Sequence, residues 1–514
     1  MNTIFLYIKK HVALLFVIML LCSCKTPENR ISDPVIMEGV AKLTVRFNHG
    51  NSKDHAEISN VCLSLSPPVI GEEFKFEALK NETDTWFFDI PVECDVSIGG
   101  VNFVINNDNH TICAGLKVNK EVVLNVYLEG TVIVKLQADP EFDFTSDDMI
   151  NTYKSLVSFM EYGYKHQPTY EMTQEEFLEH ELKILKERSA YSLKDLNLSD
   201  KARNFLQNDF NLLYLKGRLL TYKEAMQVSY LNLHDDEYDE NLILPDFSMS
   251  YYGFLSYFDL NNPKYLINFS YKDAIQGILA DTVFKIPRVG EIPITEWLKG
   301  VQTIMSDLVG FDNGQLYDLM ASNSYAMQFK NELRPLSEKQ ITNIKDYFKG
   351  GEIEKILLRR DEEIKKLDAE KSKLVINETP DVEKEKLMDA IIARYPGKVV
   401  VVDFWATWCA PCINAMKTIH PLKFELKEKN VVFVYLTDGS SPKELWNEKI
   451  KGIGSEHYYL NNEQFQYLMK GFDFEYIPSY VIYDAKRTLK HKFGGSYPGN
   501  DAMRKMIKEL LYEN

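Results

Sequence analysis

Long hydrophobic segments are scarce in this 514-residue chain, and basic residues are outnumbered by acidic ones. Lys and Arg number 59 against 75 Asp and Glu, which gives a formal net charge of −16. Such a surface repels phosphate backbones, so nucleic acid is excluded as a partner. The long apolar run at residues 12–21 has about half of the roughly 20 residues that a membrane-spanning helix needs. No other segment is apolar enough to cross a bilayer.

Cysteine is also rare, with 7 residues in the chain, and only Cys409 and Cys412 have the Cys-x-x-Cys spacing. A structural zinc site needs about four Cys or His ligands, and no second pair is present to complete one. Half of a zinc site is therefore the disfavoured alternative for this pair. We predict no metal and no other cofactor.

The cysteine pair directly follows the apolar, strand-like residues 399–405. A Cys-x-x-Cys that opens a helix places its first sulfur beside unpaired backbone NH groups, where the positive helix end lowers the pKa of the thiol. Pro411 rigidifies the first helical turn at little cost, because the NH that it lacks would be unsatisfied there. The pattern predicts a dithiol site at a strand-to-helix turn, and thiolate is the form that attacks a disulfide.

Residues 403–412, Asp-Phe-Trp-Ala-Thr-Trp-Cys-Ala-Pro-Cys, resemble the signature of the thioredoxin superfamily, particularly of its TlpA-like, membrane-tethered thiol-disulfide reductases. The resemblance implies an α/β thioredoxin fold over residues 375–514. Ile477-Pro478 precedes the strand-like residues 479–483, where the family places a cis-proline that faces the dithiol. Only about 5% of X-Pro bonds are cis, so this expectation rests on the resemblance.

The resemblance also implies roles for the acid and the two thiols. Cys409 is expected to be the exposed nucleophile that forms a mixed disulfide with the substrate, and Cys412 to resolve it. Asp403 matches a buried acid whose raised pKa lets it take the proton of Cys412. A strand residue that happens to lie at the sheet edge is the alternative interpretation of Asp403.

Three residues are expected to contact the substrate. Trp408 shields the dithiol and contributes contact surface. Pro478, if cis, sets a backbone position without an NH against the sulfurs. The backbone of Ile477 is expected to pair with the substrate chain through a few β-type hydrogen bonds, which suits transient binding.

The chain also departs from the thioredoxin pattern. Tyr435 stands about where thioredoxin itself carries a lysine near the buried acid, which predicts a differently tuned proton relay. Residues 437–474 look longer than the minimal fold requires, and TlpA-like proteins carry an insertion in this part of the fold. His420, next to Pro421, is interpreted as a helix-end residue rather than a catalytic one.

The N-terminus predicts export. Two lysines precede the apolar run and Cys22-Ser23-Cys24 follows it, so residues 1–23 are typical of a signal peptide with a lipoprotein-type cleavage site. By resemblance to bacterial lipoproteins, Cys24 would become the lipidated first residue, held on a membrane by about 0.8 kcal/mol per buried methylene. A permanent transmembrane anchor is the weaker alternative. We therefore predict a periplasm-facing lipoprotein of the bacterial cell envelope.

The rest of the chain is expected to form two further regions of a multidomain protein. Residues 35–135 contain short strand-like runs separated by turn residues and predict a β-sandwich-like domain. Residues 145–373 change to the helical period, and Thr173 and Ser337 each begin a capping-box spacing. The middle region is therefore expected to be mostly α-helical.

Burial can be predicted for several features of these two regions. The aromatic run 251–258 is interpreted as core rather than as a groove for a partner. The charge-dense residues 352–373 are interpreted as a solvated connecting helix. Cys62, Cys94 and Cys113 are predicted to be buried thiols, with one disulfide and a free thiol as the alternative.

Two functions remain open from the sequence. The first is an exported thiol-disulfide oxidoreductase that reduces disulfides of cell-envelope proteins, for which the resemblance implies a membrane-embedded thiol electron donor. The second is an envelope binding or assembly protein in which the dithiol is only regulatory. The long segment before residue 375 favours the second, and the intact Cys-Ala-Pro-Cys favours the first.

Overall fold

The computed structural model describes residues 33–50, 56–80, 84–163, 167–194, 196–234, 242–332, 334–370 and 373–512. The predicted signal peptide and the predicted lipidation residue, Cys24, lie outside the described residues. Residues Val35–Asn514 form one compact unit. Within the described ranges, every helix is too short or too polar to cross a bilayer.

Two β-sheets form the first part of this unit, as the predicted sandwich-like architecture requires. One has the strand order β4-β5-β1-β8-β9 and the other the order β3-β2-β6-β7. Apolar side chains alternate with polar ones along the first strand, where Leu43, Val45 and Phe47 are buried and Lys42 and Arg46 are exposed. The strands are β1 (Ile36–His49), β2 (Ile58–Leu65), β3 (Phe74–Glu77), β4 (Leu79–Lys80), β5 (Thr85–Cys94), β6 (Val96–Ile105), β7 (Asp108–Lys117), β8 (Glu121–Glu129) and β9 (Val132–Asp139).

The middle region is helical, as predicted. Capping boxes begin the helices after Thr173 and Ser337, as their spacing predicts, and a third begins the helix after Thr145. The α-helices are α1 (Ser146–Met160), α2 (Gln174–Ser192), α3 (Asp200–Tyr214), α4 (Tyr222–Leu233), α5 (Tyr271–Ala280), α6 (Ile294–Val309), α7 (Gln315–Glu332), α8 (Glu338–Phe348) and α9 (Glu352–Glu370).

The two sheets and these helices bury one continuous hydrophobic core, which extends from Ala41 to Ile364. The aromatic run forms the 3-10 helix Met249–Phe258, and most of its rings are buried, so its interpretation as core is confirmed. Cys62, Cys94 and Cys113 are buried free thiols, which confirms the first interpretation and excludes a disulfide among them.

The prediction of a solvated connecting helix at residues 352–373 is wrong for α9. Ile356, Leu357 and Ile364 of this helix have no exposed surface. Arg359 forms an ion pair with Glu38 of β1, so part of the charge belongs to a packed interface rather than to a solvated face. The partners lie some 320 residues earlier in the chain, where a helical charge pattern gives no sign of them.

The last part of the chain is an α/β sheet with helices on both faces, which confirms the predicted fold class. Its strand order is β10-β13-β12-β11-β14-β15, in which the first four strands are parallel and the last two antiparallel to their neighbours. The strands are β10 (Leu374–Asn377), β11 (Val399–Phe404), β12 (Val431–Thr437), β13 (Ser455–Tyr459), β14 (Ser479–Tyr483) and β15 (Leu489–Phe493). The helices are α10 (Leu387–Ile392), α11 (Ala410–Glu425), α12 (Lys443–Ile453), α13 (Asn462–Gly471) and α14 (Asn500–Tyr512).

Candidate active site

The two cysteines lie where the central strand β11 gives way to α11. Cys409 is the N-cap of the helix, and Cys409 and Cys412 form a disulfide. The backbone NH of Cys412 donates a hydrogen bond to Sγ of Cys409 over 3.1 Å. Pro411 occupies the first helical turn, where its missing NH costs nothing. An anionic sulfur at residue 409 would therefore be stabilised by the helix N-terminus.

The expected exposure of Cys409 is wrong for this disulfide form. The residue is 3% exposed and Cys412 has no exposed surface. Cys409 belongs to the hydrophobic cluster between the sheet and α11, so only a small edge of the residue reaches solvent. Trp408 beside it is 64% exposed, and its indole Nε1 donates to Oγ of Ser440 over 3.2 Å. The tryptophan is therefore held in place while its ring stays available for contact.

The Ile477–Pro478 peptide bond is cis, as the resemblance implies. The carbonyl oxygen of Ile477 lies 3.7 Å from Sγ of Cys409. Pro478 is buried, whereas Tyr476 is 70% exposed. The two segments that meet at the dithiol thus each carry an exposed aromatic residue, Trp408 next to Cys409 and Tyr476 two residues before Pro478. The sequence analysis did not single out Tyr476, although its position two residues before Pro478 could have identified it.

The loop that precedes Cys409 is hydrogen-bonded to the segment between β12 and α12 and to α12 itself. The backbone NH of Thr407 donates to Oγ of Ser441 over 3.0 Å, and that hydroxyl lies 2.7 Å from Oγ1 of Thr437. The ammonium of Lys449, on α12, donates to the carbonyl oxygen of Thr407 over 2.8 Å. Part of the region that looked longer than the minimal fold therefore supports the active-site loop.

Asp403 is buried behind the dithiol, on the face of the sheet that packs against α11. Its β-sheet partners are Tyr435 on β12 and Tyr480 on β14, and its Oδ1 has no hydrogen-bond partner among the described residues. Burial raises the pKa of Asp403 well above its usual value, and the Tyr480 hydroxyl and the Lys423 ammonium offset only part of this rise. Asp403 lies on a central strand, so the sheet-edge alternative is wrong.

A lysine does lie near the buried Asp403, but it comes from helix α11 rather than from the position of Tyr435 on β12. Lys423 is 6% exposed and donates to the hydroxyl of Tyr435 over 3.2 Å and to the carbonyl oxygen of Ile453 over 3.0 Å. Burial lowers the pKa of Lys423 to about 7, and Asp403 acts in the opposite direction. Tyr435 therefore contacts the cation instead of replacing it.

Two histidines lie on the same side of the sheet. His457 stacks on the ring of Tyr435 with centroids 5.0 Å apart, and its Nε2 donates to the carbonyl of Gly454 over 2.7 Å. Burial lowers the pKa of His457 to about 3, so the ring is neutral. His420 is buried inside α11, with Pro421 next to it, so its interpretation as a helix-end residue is wrong.

These features define a class of protein. A disulfide between cysteines spaced Cys-x-x-Cys at the N-terminus of a helix, a cis-proline facing it and a buried carboxyl behind it form the dithiol site of a thioredoxin-fold thiol-disulfide oxidoreductase. In the part of the chain that the structure describes, no group of three or more His, Cys, Asp or Glu side chains is arranged to hold a metal ion. The groups that react in such a dithiol site are the sulfur atoms of Cys409 and Cys412, which form the disulfide in this structure.

Comparison with known proteins agrees with this class. Residues 397–489 match the thioredoxin-like family, so this part of the chain is a thioredoxin-like domain. The chain is 28% identical over 123 residues to the thiol-disulfide oxidoreductase YkuV of Bacillus subtilis (strain 168), which is 23% of this chain and 79% of the relative. It is 29% identical over 77 residues to thioredoxin of Coprinus comatus, covering 14% of this chain and 69% of the relative.

A solved structure is also similar to part of the chain. The thiol:disulfide interchange protein of the thioredoxin family from Chlorobium tepidum TLS is 21% identical, with a TM-score of 0.20, and the match covers 23% of this chain and 83% of that structure. The family match and the relatives agree with an enzymatic thiol-disulfide oxidoreductase activity for this domain.

Proposed function

We propose that this protein is an exported, lipid-anchored reductase that transfers two electrons from Cys409 and Cys412 to disulfides of cell-envelope proteins. The observation that carries the proposal is the position of Sγ of Cys409, which accepts the Cys412 NH at 3.1 Å and lies 3.7 Å from the Ile477 carbonyl. The helix N-terminus stabilises a negative charge on this sulfur, and the adjacent backbone of Ile477 can pair with a substrate chain.

The reaction begins with the reduced pair. The thiolate of Cys409 attacks one sulfur of a substrate disulfide, which forms a mixed disulfide and releases the other substrate sulfur as thiolate. Cys412 then loses its proton to Asp403 and attacks Sγ of Cys409. The second substrate sulfur leaves as thiolate, the Cys409–Cys412 disulfide forms, and the substrate has gained two electrons. Burial raises the pKa of Asp403, so this carboxylate binds the proton more tightly than an ordinary aspartate would.

Substrate contact is assigned to the rim of the dithiol. Trp408 and the neighbouring residues Ala410 and Pro411 are exposed, as is Tyr476 on the facing segment. An extended chain that pairs with the backbone of Ile477 would pass between these aromatic side chains. A few hydrogen bonds and two aromatic contacts suit a transient complex.

The N-terminal pattern supports the anchor, and the resemblance to TlpA-like reductases supports the electron supply. Cleavage before Cys24 would leave this residue to carry the lipid on a membrane of the bacterial cell envelope, with the protein facing the periplasm. Electrons would reach the oxidised pair from a membrane-embedded dithiol donor. Replacement of Cys24 by Ser should abolish incorporation of labelled palmitate and move the protein from the membrane to the soluble fraction, and unchanged labelling would contradict the anchor.

Trapping of mixed disulfides tests the reductase directly. Cys412→Ser should accumulate substrate proteins linked through Cys409 on non-reducing gels, because the resolving thiol is absent. Cys409→Ser is the matched control and should trap nothing. Equal recovery of partners with both variants, unaffected by reductant, would favour the assembly protein with a regulatory dithiol.

The direction of electron flow has its own measurement. We expect the reduction potential of the Cys409–Cys412 couple in the full-length protein, equilibrated against graded thiol buffers, to lie below about −220 mV. A value above about −150 mV would instead indicate an oxidase or isomerase.

A further inference from the structure

Lys449 is a buried cation without a counter-charge. The residue is 8% exposed, and its ammonium donates to the carbonyl oxygen of Thr407 over 2.8 Å. No carboxylate lies within ion-pair distance of it in the described part of the chain, and the charge that affects it most is another cation, Lys417 of α11. Burial, and then Lys417, lower the pKa of Lys449.

Such an arrangement costs free energy, because a buried charge is tolerated when it is paired with an opposite one. A single neutral carbonyl compensates an ammonium only in part. The carbonyl belongs to Thr407, two residues before Cys409, and the backbone NH of Cys409 closes the same turn by donating to Ala406 over 3.1 Å. The unpaired cation therefore contacts the loop on which a negative charge appears when the disulfide is reduced.

We propose that Lys449 supplies the counter-charge for the thiolate of Cys409 in the reduced enzyme and is a positioning residue for the loop that carries it. The proposal rests on the proposed function, since it needs Cys409 to be the nucleophile. In the disulfide form the cation has no anionic partner in the described part of the chain, and reduction would provide one. Its attraction for the thiolate then adds to that of the helix N-terminus, so the nucleophile forms at lower pH.

Other charged groups surround the dithiol, but each has a partner or a different position. Glu72 accepts from Lys417, Asp438 reaches the loop only through Ser440, and Asp403 and Lys423 lie behind Cys412. The carboxylates among them would oppose thiolate formation. Lys449, buried on α12 and hydrogen-bonded to the loop before Cys409, is thus the cation placed to offset them.

The test is the pH dependence of Cys409 alkylation by iodoacetamide in the full-length protein with Cys412→Ser, followed by mass spectrometry of the peptide that contains Cys409. Lys449→Gln keeps a donor for the Thr407 carbonyl and removes only the charge. We expect its midpoint to rise by about one pH unit, so that alkylation at pH 6 slows roughly tenfold. Lys449→Met, which also removes the donor, should show at least the same shift.

Lys451→Gln is the matched control, because Lys451 lies on the same helix with 53% of its side chain exposed. Its midpoint should stay within about 0.2 pH unit of the parent protein, as expected for a screened surface charge. A midpoint that is unchanged in Lys449→Gln, or that shifts only in Lys449→Met, would overturn the counter-charge. Failure of the proposed function would look different, because the parent midpoint would then lie near the ordinary thiol value of about 8.5.

Discussion

At the scale of single residues, the site combines groups that burial pushes towards their neutral forms. Asp403 has a raised pKa and Lys423 a lowered one of about 7, and each partly restores the charge of the other. Lys423 therefore titrates near neutral pH, where thiols exchange with disulfides, and the pKa of Asp403 is raised from its usual value towards that range. The resolving thiol of Cys412 lies on the same buried face. A proton acceptor behind Cys412 is suited to the second step of the reaction, in which Cys412 resolves the mixed disulfide. It is less suited to the first step, in which Cys409 attacks the substrate.

Lys423→Met should therefore shift the resolving step to higher pH. Lys423 lowers the pKa of Asp403, so its removal lets that pKa rise further, and the ionised carboxylate that accepts the proton becomes available only at higher pH. We expect the pH midpoint of mixed-disulfide resolution, measured by rapid quenching with acid, to move up by roughly one unit.

Lys427→Met is the control, since Lys427 lies just beyond the helix end and is exposed. It should leave the midpoint in place. A Lys423→Met profile that matches the parent at every pH would mean that the lysine has no part in proton transfer. Circular dichroism at each pH separates such a result from a loss of structure.

At the scale of elements, sequence patterns predicted the features of the site whose residues lie close together in the chain. Cys409, Cys412 and Asp403 stand within ten residues of each other, so a strand-to-turn-to-helix pattern identifies all three. Lys423 was missed, although Cys412, Met416, Ile419 and Lys423 follow the i, i+4, i+7, i+11 spacing of one helix face. A lysine in an apolar stripe is the signal that would have found it.

Lys449 has no such signal. Its partner is the backbone of Thr407, which is 42 residues earlier in the chain. The packing of α9 could not be predicted either, because its partners are on strands and loops some 300 residues away. Periodicity predicts which face of an element is apolar, but it does not tell which distant backbone or carboxylate a charged residue will meet.

The loop between β2 and β3 is anchored by a buried carboxyl and gives a second prediction. Glu93 accepts hydrogen bonds from the backbone NH groups of Val69 and Ile70. Burial raises the pKa of Glu93 to about 7, although those NH groups and the nearby Arg359 act to lower it. The folded protein therefore holds a proton that the unfolded chain releases at about pH 4.5.

The direction in which stability changes with pH follows from the difference between the pKa of Glu93 in the folded protein and in the unfolded chain. The contribution of Glu93 to stability is present in full below about pH 4.5 and is lost as the pH rises towards 7. Glu93→Gln lacks this dependence, so the free energy of unfolding of the variant relative to the parent should rise by roughly 3 kcal/mol between pH 4.5 and 7. Urea unfolding at several pH values measures it. The exposed Glu129→Gln should follow the parent throughout, and a constant difference for Glu93→Gln would contradict the prediction.

At the scale of the whole molecule, the thioredoxin-like domain is joined to the preceding regions through α11, the helix that begins at the dithiol. Glu72, with 6% of its side chain exposed, accepts from Arg360 of α9 over 3.0 Å and lies 3.4 Å from Nζ of Lys417. Burial lowers the pKa of Lys417, and Glu72 acts against this shift. The carboxylate of Glu72 therefore interacts with two cations, Arg360 of the helical region and Lys417 of the thioredoxin-like domain.

Removal of that carboxylate should be costly. Glu72→Gln leaves two partly buried cations facing each other, and breaking a buried ion pair in this way costs about 3 kcal/mol. The double variant Glu72→Gln with Lys417→Met should lose less than the sum of the single variants, with a coupling free energy of about 1–2 kcal/mol. Urea unfolding of all four proteins gives this value. The exposed pair Lys492 and Asp473 serves as the reference cycle and should couple by less than about 0.5 kcal/mol. If the two cycles gave equal coupling, the Glu72 contact would be no more than a surface pair, and α11 would be held to the preceding regions by apolar packing alone.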